Sequence, residues 1–313
     1  MRLALLLASV TAFAAVTGTI TNQTTGKPQG GATVTLYKIE QAGPGAMTSV
    51  KTAANGSFSI PDEVRGGPHM VQAAYDGVTY TRMLPPGRPT TDISLDVYQS
   101  SKKPGEAKIA THMVLLEANG QSLNVSESFI WENPGKLAFN DPDRGTLQFY
   151  LPPAAKKASV RATAPNGMPI ERAAEKTATE YIYKVDFPIK PGKTEFEVAY
   201  SMPMMGPGVL NGKLLHQGRT HLIVPQGMAA EGEALKQLGQ HPESGASVYE
   251  FIKPEYKLNL DGIGSLRGPA GPEDDENAGL QQVRPRLYDR FLWVLGLVAV
   301  ILGLGMALLY RKQ

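Results

Sequence analysis

An uncharged apolar run near the carboxyl end is the feature that most limits how this chain can fold. Residues 291–310 read FLWVLGLVAVILGLGMALLY, without a charged side chain. As a helix, the run would be about 30 Å long, which matches the hydrocarbon thickness of a bilayer. Trp293 and Tyr310 lie near its ends, where amphipathic aromatic side chains favour the membrane interface. The run therefore predicts a transmembrane helix over 290–310, with 311–313 as a cytoplasmic tail.

The amino terminus has the pattern of an export signal. Arg2 is followed by an apolar segment over 3–10, and residues 12–14 (Ala-Phe-Ala) fit an A-x-A cleavage site. We expect residues 1–14 to be removed and the mature chain to begin at Ala15; the alternative is a buried amino-terminal strand or helix. Export followed by a stop-transfer helix predicts a single-pass protein of the cell membrane, with its ectodomain in the periplasm or outside the cell.

Four small residues of the apolar run would share one helix face. They are Gly296, Ala299, Gly303 and Ala307. Such a stripe lets two helix backbones approach closely in lipid, so it predicts association with a second membrane helix. The alternative is that glycine and alanine are simply common in membrane spans.

Glycine and proline divide the rest of the chain into short segments. Together, 33 Gly and 24 Pro make up about 18% of the residues, against ~12% in average proteins. Between them, apolar and polar residues alternate over a few positions, which is typical of half-buried strands. We therefore predict an all-β fold class: two consecutive β-sandwich domains plus a single C-terminal transmembrane helix.

Charge and cysteine content exclude several classes of protein. The formal net charge of +2 argues against a nucleic-acid partner, which requires a strong basic excess or patch. The absence of cysteine excludes disulfides, thiolate zinc sites, cysteine nucleophiles and a lipid anchor on cysteine. Membrane attachment would therefore depend on the apolar run.

Residues 15–98 are predicted to form the first sandwich. About seven strand-like segments are separated by turn signals, and Asn55-Gly56 favours a hairpin because both residues accept a positive φ. Gly18, Gly31 and Gly56 are predicted to adopt backbone conformations closed to other residues. The predicted core residues are Val34, Leu36, Phe58 and Ile60.

Three ordered motifs in this region are similar to those of a known family. Residues 16–36 contain VTGTIT, TGKP and GATVTL, residues 52–61 read TAANGSFSIP, and a Gly-Gly-Pro turn at 66–68 precedes a strand-like segment. In these motifs the region resembles the carboxypeptidase regulatory-like family, with Met70 where that family usually has tyrosine. The resemblance implies a transthyretin-like β-sandwich, grouped with carbohydrate-binding-like folds. It does not imply peptidase activity, because such modules are appended to many exported proteins.

Residues 105–260 are predicted to form a second β-rich sandwich domain. Strand-like segments flank Asn119-Gly120, a hairpin signal, whereas residues 228–238 (MAAEGEALKQL) have helix-like composition. The region resembles ectodomains of bacterial envelope proteins with a carboxyl-terminal anchor.

Two linkers are predicted from composition. A polar stretch over 99–103 would join the two domains. Residues 261–289 are rich in glycine and proline and contain an acidic cluster, which predicts a flexible linker to the membrane helix.

The sequence predicts no enzyme. None of the five histidines is followed by glutamate at the third position, as a zinc carboxypeptidase pair requires, and HExxH is absent. Nothing matches a G-x-S-x-G nucleophile turn, a P-loop or a dinucleotide-binding glycine turn. We therefore predict no catalytic residues and no cofactor.

One group of residues could hold a metal ion. Met202, Met204 and Met205 precede His216 and His221, and thioether and imidazole ligands suit copper. The alternative is a methionine loop packed over the sandwich, since methionine fills irregular gaps. Residues five apart on one strand point to opposite faces, so the two histidines would not share a site. We predict no metal site and keep these five residues as the candidates.

Two functions follow from this organisation. The first is a non-enzymatic, membrane-anchored envelope ectodomain that acts as a structural or protein-interaction module with a protein partner. The alternative is a carbohydrate- or other ligand-binding module, which rests on the fold analogy alone. Aromatic candidates for sugar stacking are Trp131, Tyr150, Tyr181 and Tyr183. Of these, Trp131 shares its alternating face with Phe129 and is predicted to lie in the core.

Overall fold

The computed structural model describes residues 15–40, 43–61 and 67–266, and every regular element in them is a β-strand. The all-β prediction is therefore confirmed for this part of the chain. No helix in these ranges is long and apolar enough to cross a membrane. The predicted export signal (1–14) and the transmembrane helix (290–310), with its face of small residues, lie outside the described residues.

The first strands form two four-stranded sheets around one hydrophobic cluster. They are β1 (Val16–Asn22), β2 (Lys27–Pro28), β3 (Thr33–Glu40), β4 (Gly43–Lys51), β5 (Ser57–Ile60), β6 (His69–Tyr75), β7 (Val78–Leu84) and β8 (Ile93–Val97). One sheet has the order β2-β1-β5, with β8 parallel to β1, and the other has the order β4-β3-β6-β7. All four predicted core residues are buried: Val34, Leu36, Phe58 and Ile60.

The turn at Asn55-Gly56 forms, but it is not a hairpin. Gly56 has a φ of 77°, as the turn signal predicts. However, β4 pairs with β3, whereas β5 pairs with β1 in the other sheet. The hairpin prediction is wrong because an Asn-Gly pair specifies a local turn, while the faces to be buried select the strand partners.

Gly18 is needed for a reason other than the predicted one. Gly31 and Gly56 have positive φ values of 76° and 77°, but Gly18 does not. A Cβ atom at Gly18 would collide with the carbonyl oxygen of Ile93 and with the ring of Phe58. The absence of a side chain there lets β1 and β8 approach beneath that ring.

The chain from residue 100 to 262 adds sixteen strands and a larger hydrophobic cluster. They are β9 (Ser100–Ser101), β10 (Lys108–Ala118), β11 (Ser122–Asn133), β12 (Ala138–Phe139), β13 (Leu147–Tyr150), β14 (Ala158–Thr163), β15 (Ile170–Arg172), β16 (Glu175–Lys176), β17 (Ile182–Val185), β18 (Gly192–Pro203), β19 (Gly208–Lys213), β20 (Thr220–Val224), β21 (Met228–Glu231), β22 (Leu235–Gln240), β23 (Ser247–Phe251) and β24 (Glu255–Gly262). An eight-stranded sheet has the order β15-β14-β18-β11-β10-β20-β23-β22. Two three-stranded sheets, β13-β17-β16 and β19-β24-β21, add residues to the same cluster.

The helix-like composition of residues 228–238 is overridden. This segment forms β21 and the start of β22, which pair with β24 and β23. Ala230 and Ala234 are buried in the large cluster. Helix propensity amounts to only a few tenths of a kcal/mol per residue, roughly, so burial and strand pairing decide the outcome.

The predicted polar linker over 99–103 is a structured junction. β9 pairs in parallel with β12, and the amide of Ala138 donates to the carbonyl of Gln99 at 2.9 Å. The amide of Ser100 donates to the carboxylate of Asp76 at 2.6 Å. Ala138, although distant in sequence, is buried in the first cluster. Residues 99–101 are therefore held by hydrogen bonds to segments that precede and follow them in the sequence.

The segment predicted as a linker over 261–289 is folded at its start. β24 continues to Gly262, and Gly264 forms an isolated antiparallel bridge with Ala118. Residues 261–264 therefore belong to the folded part, whereas residues 267–289 lie outside the described residues.

Candidate functional site

The eight-stranded sheet has one buried face and one open face. Its inner face contributes alternate residues to the large cluster. The opposite face, called here the outer face, carries half-buried and exposed side chains. On β10, β20 and β23, the fifth to seventh strands in the order of this sheet, the outer face carries the side chains of Met113, Leu115, Ile223 and Val248.

One row of residues across the outer face carries no charge over seven neighbouring strands. The register aligns Ser159, Ala199, Ser126, Leu115, Ile223, Val248 and Gly239. On β14, β18 and β11 this uncharged row is made of small or polar residues. On β10, β20 and β23 it is aliphatic.

The next row has charges near its two ends. It consists of Arg161, Glu197, Ser128, Met113, His221, Glu250 and Lys236. Arg161 lies 3.7 Å from Glu197, and Arg219 lies 3.7 Å from Glu250. Exposed pairs of this kind stabilise a fold by at most about 1 kcal/mol. The outer face thus has one uncharged row beside a row that carries charges of both signs near its ends.

Four polar side chains meet inside the large cluster. Glu127 and His112 are 7% and 5% exposed, and His112 Nε2 lies 3.1 Å from Glu127 Oε2. His112 Nδ1 lies 3.0 Å from the hydroxyl of Thr220, and the hydroxyl of Tyr200 donates to Glu127 Oε1 at 3.3 Å. The ring of His112 stacks on Phe129 at a centroid distance of 4.0 Å. This buried network links four adjacent strands of the sheet: β18, β11, β10 and β20.

Burial sets the protonation of the groups around the network. Desolvation raises the pKa of the Tyr200 hydroxyl well above its usual value, and the nearby carboxylate of Glu127 adds to the effect. Desolvation also raises the pKa of Tyr256. Desolvation lowers the pKa of His216, although its Nε2–H donates to the carbonyl of Gln148 at 2.6 Å. Both tyrosines therefore stay protonated, and Tyr200 remains a hydrogen-bond donor.

This network was not predicted from the sequence, although one signal for it is present. Residues 123, 125, 129 and 131 alternate as inward apolar positions, and all four are buried. Glu127 falls on the same inward face, where a carboxylate requires hydrogen-bond partners. Thr220 could not be recognised from spacing as the partner of His112, because 108 residues separate the two side chains.

The five candidate metal ligands are not brought together. Met202 and Met204 are buried in the large cluster, whereas Met205 is 85% exposed. His221 lies on the outer face of β20, and His216 lies in the preceding loop and packs into the interior. Two strands separate β18 from β20, a distance of ~14 Å. Within the described part of the chain, no three His, Asp or Glu side chains are placed to hold a metal ion.

The aromatic candidates for sugar stacking are mostly occupied by packing. Trp131 is 6% exposed, as its alternation predicts. Tyr183 stacks on Phe149, and Tyr150 meets Tyr181 edge to face. Among these candidates, Tyr181 is 40% exposed and has a positive φ of 61°.

Comparison with known proteins does not assign a family. No protein-family model and no curated protein matches the sequence. Solved structures similar to it include an M1 zinc metallopeptidase from Deinococcus radiodurans, at 12% identity, covering 50% of this chain and 42% of that chain, with a TM-score of 0.27. Another is a two-domain M1 zinc metallopeptidase mutant bound to L-tryptophan, at 10% identity, covering 50% and 43%, with a TM-score of 0.28. The chain spans less than half of those chains, and likeness at this level carries no argument about activity.

Proposed function

We propose that this protein is a non-enzymatic, membrane-anchored ectodomain of the bacterial envelope that acts as a structural or protein-interaction module. In this proposal it consists of two consecutive β-sandwich domains and a single membrane helix over 290–310. The uncharged row of the outer face is the observation that carries the proposal. The arrangement of two four-stranded sheets around one cluster supports a carboxypeptidase regulatory-like domain at the amino end.

The composition of the outer face favours a protein partner. Protein–protein interfaces are depleted of charge at their centre and polar at their rim. Leu115, Ile223 and Val248 form such a centre, while Arg161 and Lys236 lie in the neighbouring row toward its ends. A nucleic acid would require a continuous basic surface, whereas these margins carry both signs. The matching partner is a folded protein with an aliphatic patch and a mixed-charge border.

The carbohydrate alternative has less support on the described surface. Stacking sites for sugars use exposed aromatic faces, and Tyr181 is the one side chain among the four aromatic candidates that is more than a third exposed. The structural or interaction role therefore remains the proposal, and glycan binding is an outcome for the experiment to detect.

Site-specific photo-crosslinking tests the outer face directly. A photoreactive amino acid is introduced in the native membrane at Leu115, Ile223 or Val248, one position at a time. We expect each to give the same discrete cross-linked protein, because an aliphatic interface centre is in direct contact with its partner. The matched controls are Ser159 and Ala199, which lie in the same row on its small-residue half.

The pattern of cross-links decides the outcome. Products from the aliphatic positions and little from the controls would support the proposal. No product from any position, or equal products from both halves, would contradict an interface at this centre. A cross-link to a glycan would favour the carbohydrate alternative.

The predicted topology has its own test. If the chain is exported and anchored by residues 290–310, protease added to intact spheroplasts should digest residues 15–289, as judged by loss of an ectodomain epitope. A cytoplasmic marker protein should stay intact as the control. Protection of the epitope in intact spheroplasts, with digestion after lysis, would overturn the exported topology.

A further inference from the structure

Strand β7 forms one edge of the sheet β4-β3-β6-β7, and only β6 pairs with it. A two-residue turn at Asp76 and Gly77, with φ values of 49° and 75°, joins these two strands. In such a hairpin the residues that flank the turn bond to each other, and every second pair beyond them does the same. Thr79, Thr81 and Met83 lie between the bonded positions, so their backbone N–H and C=O groups point away from β6.

The hydrogen bonds on the other side of β6 agree with this alternation. The amide of Ile39 on β3 donates to the carbonyl of Pro68, directly before β6, at 3.0 Å. The even-numbered residues of β6 therefore bond to β3, and its odd-numbered residues bond to β7. The register pairs those odd-numbered residues with the even-numbered residues of β7. The odd-numbered residues of β7 are thus the ones that face outward.

The described chain supplies no partner for these outward groups. Within residues 15–40, 43–61 and 67–266, no hydrogen bond reaches the backbone amide or carbonyl of Thr79, Thr81 or Met83. Their side chains are exposed as well. Each of the three residues therefore offers one backbone donor and one backbone acceptor along the edge.

Several other sheet edges in the described ranges carry features that oppose pairing with a further strand. β4 contains Pro44 and a register shift against β3, while β22 contains Lys236 and a register shift against β23. β15 and β2 are only three and two residues long. Prolines, bulges, lysines and short strands are the usual protection of a sheet edge. By contrast, β7 has seven residues, no glycine or proline, and an unbroken register.

The one charged side chain of β7 is held by another strand. Nη1 of Arg82 donates to the carbonyl of Ser94 on β8, in the other four-stranded sheet, at 3.1 Å. This bond directs the guanidinium group toward β8. No carboxylate lies on β7, so the strand carries no further charge.

We propose that the β7 edge is a self-association site, to which a second copy of this chain adds its own β7 in antiparallel orientation. The outward groups are symmetric about Thr81, because Thr79 and Met83 lie two positions away on either side. A two-fold axis through a Thr81–Thr81 pair places Thr79 opposite Met83 of the second copy. This arrangement satisfies all the outward groups of both copies and joins two four-stranded sheets into one of eight strands.

The side chains of β7 also suit a second copy. In this register Arg82 lies opposite Tyr80 of the second copy, so like charges do not face each other directly across the pair. On the exposed face Thr81 meets Thr81, and threonine pairs across neighbouring strands are favourable. A second copy therefore meets the requirements of both the backbone and the side chains at this edge.

The absence of cysteine from the chain allows a cross-linking test that reads the register. Single cysteines are introduced into the full chain in an uncharged detergent and oxidised, and disulfide-linked dimer is measured on non-reducing gels. Thr81→Cys should form the dimer, because bonded antiparallel pairs have Cα atoms about 5.5 Å apart, which a disulfide spans. Thr79→Cys alone and Met83→Cys alone should not, since each lies four residues along from its own counterpart, about 14 Å away.

Mixed chains and two substitutions at Thr81 complete the experiment. Thr79→Cys chains mixed with Met83→Cys chains should cross-link to each other, because these positions are opposite in the proposed register. Adding Thr81→Pro to both chains should lower this cross-linking by about tenfold or more, since each copy loses an interface donor. The proline leaves the pairing of β6 with β7 intact, because the Thr81 amide points outward. Thr81→Val keeps the amide and should cross-link as the chains without it do.

Three results would overturn the proposal. They are no dimer from Thr81→Cys, equal amounts of dimer from all three single cysteines, and undiminished cross-linking in the Thr81→Pro chains. The cysteine pattern decides the matter even if Thr81→Pro does not fold. Because β7 belongs to a different sheet from the outer face, these results are independent of the photo-crosslinks expected there.

Discussion

Replacing Glu127 by alanine is expected to lower the free energy of unfolding of the strands around the large hydrophobic cluster by about 3–5 kcal/mol. The change removes the acceptor for both His112 and Tyr200, which are 5% exposed each. A buried imidazole and a buried phenol would then lack partners, and water cannot reach them to compensate. Urea unfolding of residues 15–266 measures the effect. Trp131 is the single tryptophan of that segment, and its fluorescence follows the unfolding of the large hydrophobic cluster.

A double variant separates the loss of a partner from the loss of a well-packed side chain. Glu127→Leu combined with His112→Leu replaces both members of the pair by apolar groups, which is often close to neutral. We expect the double variant to be less destabilised than the sum of the two single variants. A Glu127→Ala protein within about 1 kcal/mol of the native one would contradict the role assigned to the network.

Replacing Phe58 by alanine is expected to destabilise strands β1–β8 by about 3–5 kcal/mol, through lost burial and the cavity left behind. Phe58 is 5% exposed and lies over Gly18, whose missing side chain makes room for its ring. Backbone cannot move into the cavity easily, because β1 is held on both sides by β5 and β8. Far-ultraviolet circular dichroism during urea unfolding measures this transition, since residues 15–98 contain no tryptophan.

The matched control for Phe58 is its neighbour on the same strand. Ser59 points outward from β5 and is exposed, so Ser59→Ala should change the unfolding free energy by no more than about 0.5 kcal/mol. Equal effects of the two substitutions would show that the inward face of β5 is assigned wrongly.

Local signals in the sequence were sufficient where the structure depends on near neighbours. The hairpin at Asn119-Gly120 is confirmed, because it is held by its own residues. The side-chain oxygen of Asn119 accepts hydrogen bonds from the amides of Gln121 and Ser122, and Gly120 has a φ of 87°. The burial of Phe58 and Trp131 was likewise predictable from alternation along a single strand.

Local signals failed where a segment pairs with strands that are distant in the sequence. Composition alone favoured a helix over 228–238, and a loop over 99–103. In the fold, the first segment pairs with β24 and β23, and the second contains β9, which pairs with β12. A few tenths of a kcal/mol of propensity per residue, roughly, does not outweigh strand pairing and burial.

The sequence by itself determined that this region is all-β, where most of its strands run and which side is buried in the strands that contain Val34, Phe58 and Trp131. These properties follow from alternation and turn residues, which act over two to five positions. Only the tertiary structure decided that the Asn55-Gly56 turn crosses between sheets, that His112 lies between Glu127 and Thr220, and that Lys190 lies over Tyr80. The physical reason is that these contacts join residues separated by as many as 110 positions along the chain, from Tyr80 to Lys190. Bringing such distant residues together depends on how all the buried strand faces pack, and no short segment of the sequence specifies that packing.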